Sequence, residues 1–153
     1  MPSIYELLHQ DHDKVKKALT RILDTSDGAA KTREKLFSEI KQDLEIHTRF
    51  EEEVFYPQFR DAKGDEEAED AVDDALDEHA EAKGMLEKLS SMDKSSDEFL
   101  ETLDELKQAL EHHISDEEEE MFPEAREALD DEKAREMGDR YEQMKQGAMA
   151  GGR

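Results

Sequence analysis

Two similar segments of the chain each hold a histidine and, four residues later, a glutamate. The first is EIHTRFEEEVFYP, which contains His47 and Glu51, and the second is EHHISDEEEEMFP, which contains His113 and Glu117. Residues four apart lie on the same face of a helix, so each pair could bind one metal centre. The repeat therefore predicts a metal site built from two copies of one pattern.

Two further histidines occupy matching places in the two halves of the chain. His12 and His79 are 67 residues apart, and His47 and His113 are 66 residues apart. Two helical hairpins with the same inward residues would meet about a pseudo-two-fold axis. We therefore predict that six polar residues converge at one level of the core, namely His12, His47, Glu51, His79, His113 and Glu117.

Burial of two carboxylates at this level requires compensation, because an unpaired buried charge costs several kcal/mol. No lysine or arginine on the predicted inward faces is an obvious partner for both glutamates, with Lys16 and Lys83 as the exceptions left open. A metal would hold the ligands deprotonated. Six nitrogen and oxygen ligands exceed the four of a structural zinc and suit two ions bridged by the glutamates. The ligand set favours iron or manganese and leaves zinc open.

Helix signals place these residues on four long helices. Capping boxes of the form S-x-x-E begin the first helix at Ser3 and the fourth at Ser95. Gly28 and Gly64 end the first two helices. Apolar residues recur every three or four positions on each inward face. The predicted helices are 3–27, 31–62, 65–90 and 95–129, then a short fifth from Asp130 or Asp131 to Gln146.

These elements predict an all-α protein. We expect an up-down-up-down four-helix bundle over residues 1–129, followed by a short helix and a disordered C-terminal tail over residues 130–153. No stretch alternates with period two, which argues against strands. Pro57 and Pro123 lie inside predicted helices, where proline kinks or ends a helix.

Composition narrows the classes of function. The 153 residues suit one domain, and the lack of cysteine excludes disulfides, cysteine-bound zinc and thiol catalysis. A net charge of −23 would repel phosphate groups, so nucleic acid and anionic membranes are not expected as partners. The N-terminus, MPSIYELLHQ, lacks a secretory signal, and no apolar run reaches a membrane span. We expect a soluble cytoplasmic protein, and the oligomeric state stays open.

The pattern H…HxxxE…H…HxxxE on four helices resembles the hemerythrin-like, or HHE cation-binding, domain family. The segments Phe55-Tyr56-Pro57 and Met121-Phe122-Pro123, whose prolines follow the glutamates by six residues, also look like that family's. The resemblance covers about residues 3–129. It implies two non-heme iron ions with an oxo or hydroxo bridge between them. The implied roles are one iron on His12 and His47, the other on His79 and His113, and bridging by Glu51 and Glu117.

One departure from the family pattern bears on activity. Oxygen-carrying hemerythrins have a fifth histidine, in an HxxxH pair on the third helix, whereas the residues four away from His79 are Ala75 and Lys83. Each iron would then keep about one open position, which favours chemistry across the pair over reversible oxygen carriage. The resemblance thus implies peroxide decomposition or defence against oxidative and nitrosative stress. Hydrogen peroxide, dioxygen and nitric oxide are the small molecules expected to bind.

Three alternatives stay open from the sequence. The protein could bind or sense dioxygen or nitric oxide without turnover. A ferritin-like iron store would need two E-x-x-H pairs, and we find only Glu6 with His9. A metal-free structural bundle would leave six polar core positions uncompensated.

Several neighbouring residues have two interpretations. His9 is a surface residue or an alternative ligand, and His112 lies about 100° off the inward face and is rejected as a ligand. Tyr5 packs in the core or donates a proton, Tyr56 packs or binds metal as a phenolate, and Lys83 reaches solvent or hydrogen-bonds peroxide. The other glutamates of the two acidic runs are assigned to solvated faces.

Overall fold

The structure, a computed structural model, describes residues 2–26 and 28–151, with side chains up to residue 147. Within these ranges all regular structure is helical, which confirms the predicted class. The helices are α1 (Ile4–Leu23), α2 (Ala30–Phe50), α3 (Tyr56–Lys63), α4 (Glu66–Ser90), α5 (Asp97–Asp116), α6 (Phe122–Ala128) and α7 (Asp131–Gly151).

Two π-helical turns each join two helices end to end into one longer helical segment, which we call an arm. Glu51–Phe55 joins α2 to α3, and Glu117–Met121 joins α5 to α6. Pro57 and Pro123 follow these turns and lie in the first turns of α3 and α6, where a missing N–H is tolerated. The predicted interruption at each proline therefore takes the form of a π turn inside a continuous arm.

The helix caps follow the sequence signals with one exception. The side chains of Ser3 and Asp65 accept hydrogen bonds from the backbone at the starts of α1 and α4, as predicted. The cap of α5 is Ser96, however, and not the predicted Ser95. The backbone N–H and the hydroxyl of Ser95 both donate to the carboxylate of Asp93, which holds this side chain in the preceding turn.

Two helix ends differ from the prediction. α1 ends at Leu23, before the predicted end at Asp27, which lies outside the described residues. α7 passes the predicted end at Gln146 and is 21 residues long. α7 is therefore not a short helix. Its length is explained by buried residues such as Tyr141, which pack its inner face against α1 and α2. The predicted disordered tail, 147–153, is helical as far as residue 151, and its last two residues lie outside the described ranges.

The apolar core forms two clusters, one on each side of the predicted polar level. We call the first the aromatic cluster, which includes Phe50, Phe55, Tyr56, Phe59, Phe122 and Tyr141. We call the second the aliphatic cluster, which includes Leu19, Ile22, Ile40, Leu86, Leu103 and Leu106. Along the chain, α1 and α4 pass from the aromatic to the aliphatic cluster. α2 passes the other way, as does the arm formed by α5, its π turn and α6. The six predicted polar residues lie where the four helices cross between the clusters.

In the described part of the chain, no helix combines the length and the apolar content that crossing a bilayer requires.

Candidate metal centre

The four predicted histidines come together as two pairs. His12 Nε2 lies 3.2 Å from His47 Nε2, and His79 Nε2 lies 3.2 Å from His113 Nε2. None of the four is more than 7% exposed. Two ligands bound at right angles to one ion, each about 2.1 Å from it, lie about 3 Å apart. Each pair therefore has the spacing of neighbouring ligands of a single ion.

The carboxylate of Glu51 spans the two histidine pairs. Its Oε2 atom lies 3.3 Å from His47 Nε2, and its Oε1 atom lies 3.1 Å from His79 Nε2. His47 is four residues before Glu51 on the same face, whereas His79 comes from α4. One carboxylate oxygen is thus available to each pair, as a bridging ligand requires.

Glu117 spans the same two pairs from the other side. Its Oε1 atom lies 3.3 Å from His12 Nε2, and its Oε2 atom lies 3.4 Å from His113 Nε2. With Glu51, it gives each histidine pair two carboxylate oxygens. The six predicted residues therefore form two groups of four nitrogen and oxygen atoms that share both glutamates.

The surroundings of two carboxylate oxygens show whether this arrangement suits metal ions. Glu51 Oε2 and Glu117 Oε1 are buried and have no hydrogen-bond partner among the described residues. A buried acceptor without a partner is costly and rare. Both atoms face imidazole nitrogens at the distances of neighbouring ligands, so a cation between them would satisfy the oxygens and nitrogens together. The residues present fit a two-ion centre.

Every histidine of the centre also contacts a carboxylate through Nδ1, on the side away from the cluster. This contact turns Nε2 and its lone pair toward the centre and fixes the ring. The contacts are His12 to Glu118 at 2.5 Å, His47 to Asp11 at 3.4 Å, His79 to Glu52 at 2.8 Å and His113 to Glu78 at 2.7 Å.

These four carboxylates were missed by the sequence interpretation, which assigned Glu52 and Glu118 to solvated faces and gave Asp11 and Glu78 no role. Glu52 and Glu118 each follow a bridging glutamate, and Asp11 and Glu78 each precede a histidine. The repetition of both offsets in the two halves of the chain is the signal that could have identified them.

The electrostatics of the metal-free centre follow from this concentration of opposite charges. Burial lowers the pKa of His47, but the charge of Glu51 and the contacts with Asp11 and Glu51 raise it to about 10. Burial also lowers the pKa of His113, whereas Glu117 raises it to about 9. Burial raises the pKa of Glu117, yet its contacts, first with Glu51 and then with the imidazoles, hold this pKa well below its ordinary value. Without metal, protons on His47 and His113 therefore balance the carboxylate charges that bound metal ions would otherwise neutralise.

A hydroxyl group distinguishes the two halves of the centre. The π turn bonds Tyr56 N–H to Glu51 O, five residues apart, and this extra residue brings the Tyr56 side chain onto the face of Glu51. Tyr56 donates a hydrogen bond to Glu117 Oε2 at 2.6 Å, and its oxygen lies 3.2 Å from His79 Nε2. Burial and then the two glutamate charges raise its pKa well above the ordinary value, so the phenol is neutral. The matching residue of the other π turn is Phe122, which has no hydroxyl.

The C-terminal helix adds a second difference between the halves. Tyr141 donates a hydrogen bond to Asp11 Oδ2, and Lys145 Nζ lies 2.8 Å from Asp11 Oδ1. Burial raises the pKa of Asp11, but hydrogen bonds from His47, Lys145 and Tyr141 hold it well below its ordinary value. The carboxylate that orients His47 is thus itself fixed by α7, which lies outside the repeat.

The two extra histidines lie outside the cluster. His9 is half-exposed, and its Nδ1 lies 2.9 Å from Glu118 Oε1, so it contacts a carboxylate that orients another histidine. The His112 side chain is 70% exposed and contacts Asp116 at 3.2 Å and Glu78 at 3.6 Å. Neither imidazole reaches the two bridging glutamates.

Lys83 and Tyr5 also have defined surroundings. Lys83 Nζ lies 3.1 Å from Glu52 Oε2 and is half-exposed, which places its charge at the rim of the centre. The ring of Tyr5 packs 5.3 Å from that of Phe122 within the aromatic cluster. Burial raises the pKa of Tyr5, and its hydroxyl has no hydrogen-bond partner in the described part of the chain.

Comparison with known proteins identifies a family. The model of the hemerythrin HHE cation binding domain matches residues 3–125. An uncharacterized hemerythrin-like protein from Schizosaccharomyces pombe is 32% identical over 145 residues, which cover 95% of this chain and 70% of that protein. These matches confirm the resemblance that the histidine and glutamate pattern indicated.

Two further similarities extend the comparison. A crystal structure of a hemerythrin HHE cation binding domain-containing protein from Mycobacterium kansasii matches with a TM-score of 0.80 and 27% identity, covering 98% of this chain and 91% of that one. A DNA nickase from Nostoc sp. is 27% identical over 143 residues, or 94% of this chain. The chain spans only 39% of the nickase.

We predict that the metal-free protein loses stability as the pH rises from about 7 to about 10. The folded-state pKa values of His47 and His113 lie above the ordinary value, at about 10 and about 9. The stability that their protonation contributes is therefore complete below about pH 6.5 and is lost as the pH passes through the folded-state values. Urea denaturation of the metal-free protein at each pH measures the change.

The double variant His47→Gln and His113→Gln should show a much smaller fall over this range, while His112→Gln should behave like the parent chain. A parent midpoint that does not change between these pH values would contradict the prediction.

A second prediction concerns Tyr141, in protein loaded with a divalent metal. Tyr141→Phe removes a hydrogen bond to Asp11, the carboxylate that orients His47. The ion on the His47 side should therefore be released to a chelator about tenfold faster. Glu78→Gln, which loosens His113, should instead speed release of the other ion. Tyr5→Phe, which removes a hydroxyl without a described partner, should change neither rate. Uniform acceleration of both ions in Tyr141→Phe would show that α7 acts on the fold and not on one half of the centre.

Proposed function

This chain belongs to the family of hemerythrin HHE cation-binding domains, and from that premise we propose that it is a two-iron protein that decomposes hydrogen peroxide in defence against oxidative stress. The observation that carries the proposal is that each buried glutamate presents one oxygen to each of two histidine pairs. Such sharing is the geometry of a bridged pair of ions and has no use in a single-ion site.

We propose that two non-heme iron ions, joined by an oxo or hydroxo bridge, occupy the centre. His12 and His47 would hold one ion and His79 and His113 the other, and Glu51 and Glu117 would bridge them. Support for iron comes from the ligand chemistry, since imidazole and carboxylate without thiolate suit a metal that changes oxidation state among nitrogen and oxygen ligands.

The remaining coordination positions support chemistry at both ions. No fifth histidine is available, and Lys83, which stands in its place in the sequence, is bonded to Glu52 at the rim. Each ion would thus have two imidazoles, two carboxylate oxygens, the bridge and about one open position. Two adjacent open positions suit a peroxide that binds across both ions. They suit less well the reversible end-on binding of dioxygen to a single ion.

When bound, two irons that change between ferrous and ferric states would give two electrons to one peroxide, which becomes water, and take two from another, which becomes dioxygen. Because two hydrogen peroxide molecules yield two waters and one dioxygen, no outside reductant is needed. The protein's own residues hold the ions, fix the imidazoles through outer carboxylates and supply protons. The hydroxyl oxygen of Tyr56 lies 2.6 Å from Glu117 Oε2 and 3.2 Å from His79 Nε2, so this group is placed to act as a general acid at the centre.

Small molecules are the partners that this proposal requires. The net charge of −23 disfavours nucleic acid, and the similarity to the nickase covers only 39% of that protein. We therefore do not extend the nickase activity to this chain. Binding or sensing of dioxygen or nitric oxide without turnover is the competing function.

We also infer that the four long arms form an up-down-up-down bundle around the centre. The inference is supported by the order in which the aromatic and aliphatic clusters are passed, which in α1 and α4 is opposite to that in the arms of α2 with α3 and of α5 with α6. It is further supported by short connections between successive arms.

The principal test is metal analysis followed by addition of hydrogen peroxide. We expect two irons per chain and evolution of dioxygen from added peroxide. Two irons without gas, but with a reversible spectral change on exposure to dioxygen or nitric oxide, would favour the competing function. A folded protein that binds no metal would refute both.

Removal of either bridge should empty the centre. Glu51→Ala or Glu117→Ala should lower the iron content well below two per chain, because each glutamate would supply one oxygen to each ion. His112→Ala, at an exposed site, should retain both irons. Full iron content and unchanged oxo-to-iron absorption in either glutamate variant would show that the bridging assignment is wrong.

The hydroxyl of Tyr56 should affect the rate of turnover more than the retention of metal. Tyr56→Phe should keep two irons and lower peroxide decomposition at least roughly tenfold, since proton transfer by a positioned group typically contributes about 10²-fold or more. Oxygen evolution at matched iron content measures the effect, with Tyr5→Phe as the matched control. Loss of one iron in Tyr56→Phe would instead assign the phenol as a ligand.

A further inference from the structure

A cavity lies beside the metal centre, on the side of the aliphatic cluster. It has a volume of about 330 Å³. The histidines and Glu51 contribute to its floor, which brings the cavity into direct contact with the proposed ligands. Its walls come from α1, α2, α4 and α5.

The walls above this floor are apolar. They include the side chains of Val15, Leu44, Ala82, Leu86, Leu110 and Ile114. All six belong to the buried aliphatic cluster. We call this space the apolar chamber.

The repeat shows how space arises on one side of the chamber. Val15 follows His12 by three residues, and Ala82 follows His79 by three residues. These two positions are therefore equivalent in the repeat, but alanine has two carbon atoms fewer than valine. The wall that α4 contributes thus carries the smaller side chain, next to the half of the centre that holds the Tyr56 hydroxyl.

The size of the chamber exceeds what hydrogen peroxide or a diatomic gas requires. Protein interiors are closely packed, and voids larger than a water molecule are few. An apolar cavity of about 150 Å³ is already large enough to bind benzene. Two ions and their bridge would take the place of only a few water molecules, at roughly 30 Å³ each. The remaining space matches an organic group of about ten non-hydrogen atoms.

The charge at the rim restricts the class of organic molecule. The chamber opens among the side chains of Asp43, Glu45, Glu78 and Glu81, with Lys83 already bonded to Glu52. These carboxylates, together with the net charge of −23, disfavour an anionic ligand. An uncharged molecule with an apolar body and one oxygen-containing end suits both the walls and the floor.

We propose that the apolar chamber binds the carbon part of a small, uncharged alkyl or aryl hydroperoxide, with its oxygen–oxygen group at the histidine and glutamate floor. The choice of a hydroperoxide rests on the proposed peroxide function, whereas the choice of an apolar, uncharged body rests on the chamber alone. The inference concerns binding and assigns a class of substrate to the centre.

The test uses 2-phenyl-2-propanol, a stable alcohol of about ten non-hydrogen atoms that has the shape of an aryl hydroperoxide product. Calorimetry and ligand-observed NMR with the iron-loaded protein should show saturable binding at one site per chain. 4-Isopropylbenzoate, an anion of similar size, should bind at least roughly tenfold more weakly because of the acidic rim. Absence of saturable binding, or equal binding of the anion, would overturn the proposal.

Two matched variants locate the binding site. Ala82→Leu adds three carbon atoms to the chamber wall contributed by α4 and should weaken binding of the alcohol roughly tenfold. Ala80→Leu makes the same change at an exposed position of the same helix and should leave binding unchanged. Iron content, measured in both, should stay at the value of the parent chain. Equal affinity in the two variants would place the alcohol elsewhere on the protein.

A third variant tests the chamber in the opposite direction and remains informative if Ala82→Leu does not fold. Leu86→Ala enlarges the chamber. The larger alcohol 2-(2-naphthyl)-2-propanol should therefore bind several-fold more tightly to this variant than to the parent chain. No gain in affinity would count against the chamber as the site.

The outcomes separate this inference from the proposed function. If the alcohol binds as predicted but peroxide is not decomposed, the proposed function is wrong and the chamber stands. If peroxide is decomposed but no variant changes binding of the alcohol, the chamber proposal alone is wrong.

Discussion

The rest of the structure depends on the burial of two carboxylates between four imidazoles. Glu51 and Glu117 are almost fully buried, and each retains one oxygen without a hydrogen-bond partner among the described residues. Burial of such groups in an apolar core is unfavourable unless protons or metal ions neutralise them. The two apolar clusters that flank this level supply the opposing stabilisation, because they hold the helices in register while the polar atoms face one another.

The π turns explain how one stretch of helix serves both the centre and the core. In a regular α-helix the fifth residue after Glu51 would lie about 140° around the axis, away from the centre. The extra residue of the π turn brings Tyr56 back to the face of Glu51, while Phe55 and Phe59 still pack in the aromatic cluster. The cost of a widened turn is reduced by the proline that follows, since Pro57 has no N–H to leave unpaired.

The sequence could predict what depends on local periodicity, and much less of what depends on distant contacts. Four-residue spacing is enough to place His47 and Glu51 on one face, and the capping signals at Ser3 and Asp65 are local as well. Tyr141, by contrast, reaches Asp11 across 130 residues, from a helix that the repeat does not contain. The π turn was also missed, because a proline in a helical pattern predicts an interruption and does not say that the interruption will re-aim a side chain.

The departures from two-fold symmetry have a common direction. On the His12 and His47 side, α7 fixes the orienting carboxylate of Asp11, and the residue on the π turn is the apolar Phe122. On the other side, the features that differ are the hydroxyl group of Tyr56 and the smaller wall residue Ala82. A repeat with two equivalent halves would present a ligand with two equal approaches. The hydrogen bonds of Asp11 fix one half of the centre from outside the repeat, whereas Tyr56 places a hydroxyl group at the other, so the two halves are chemically unlike.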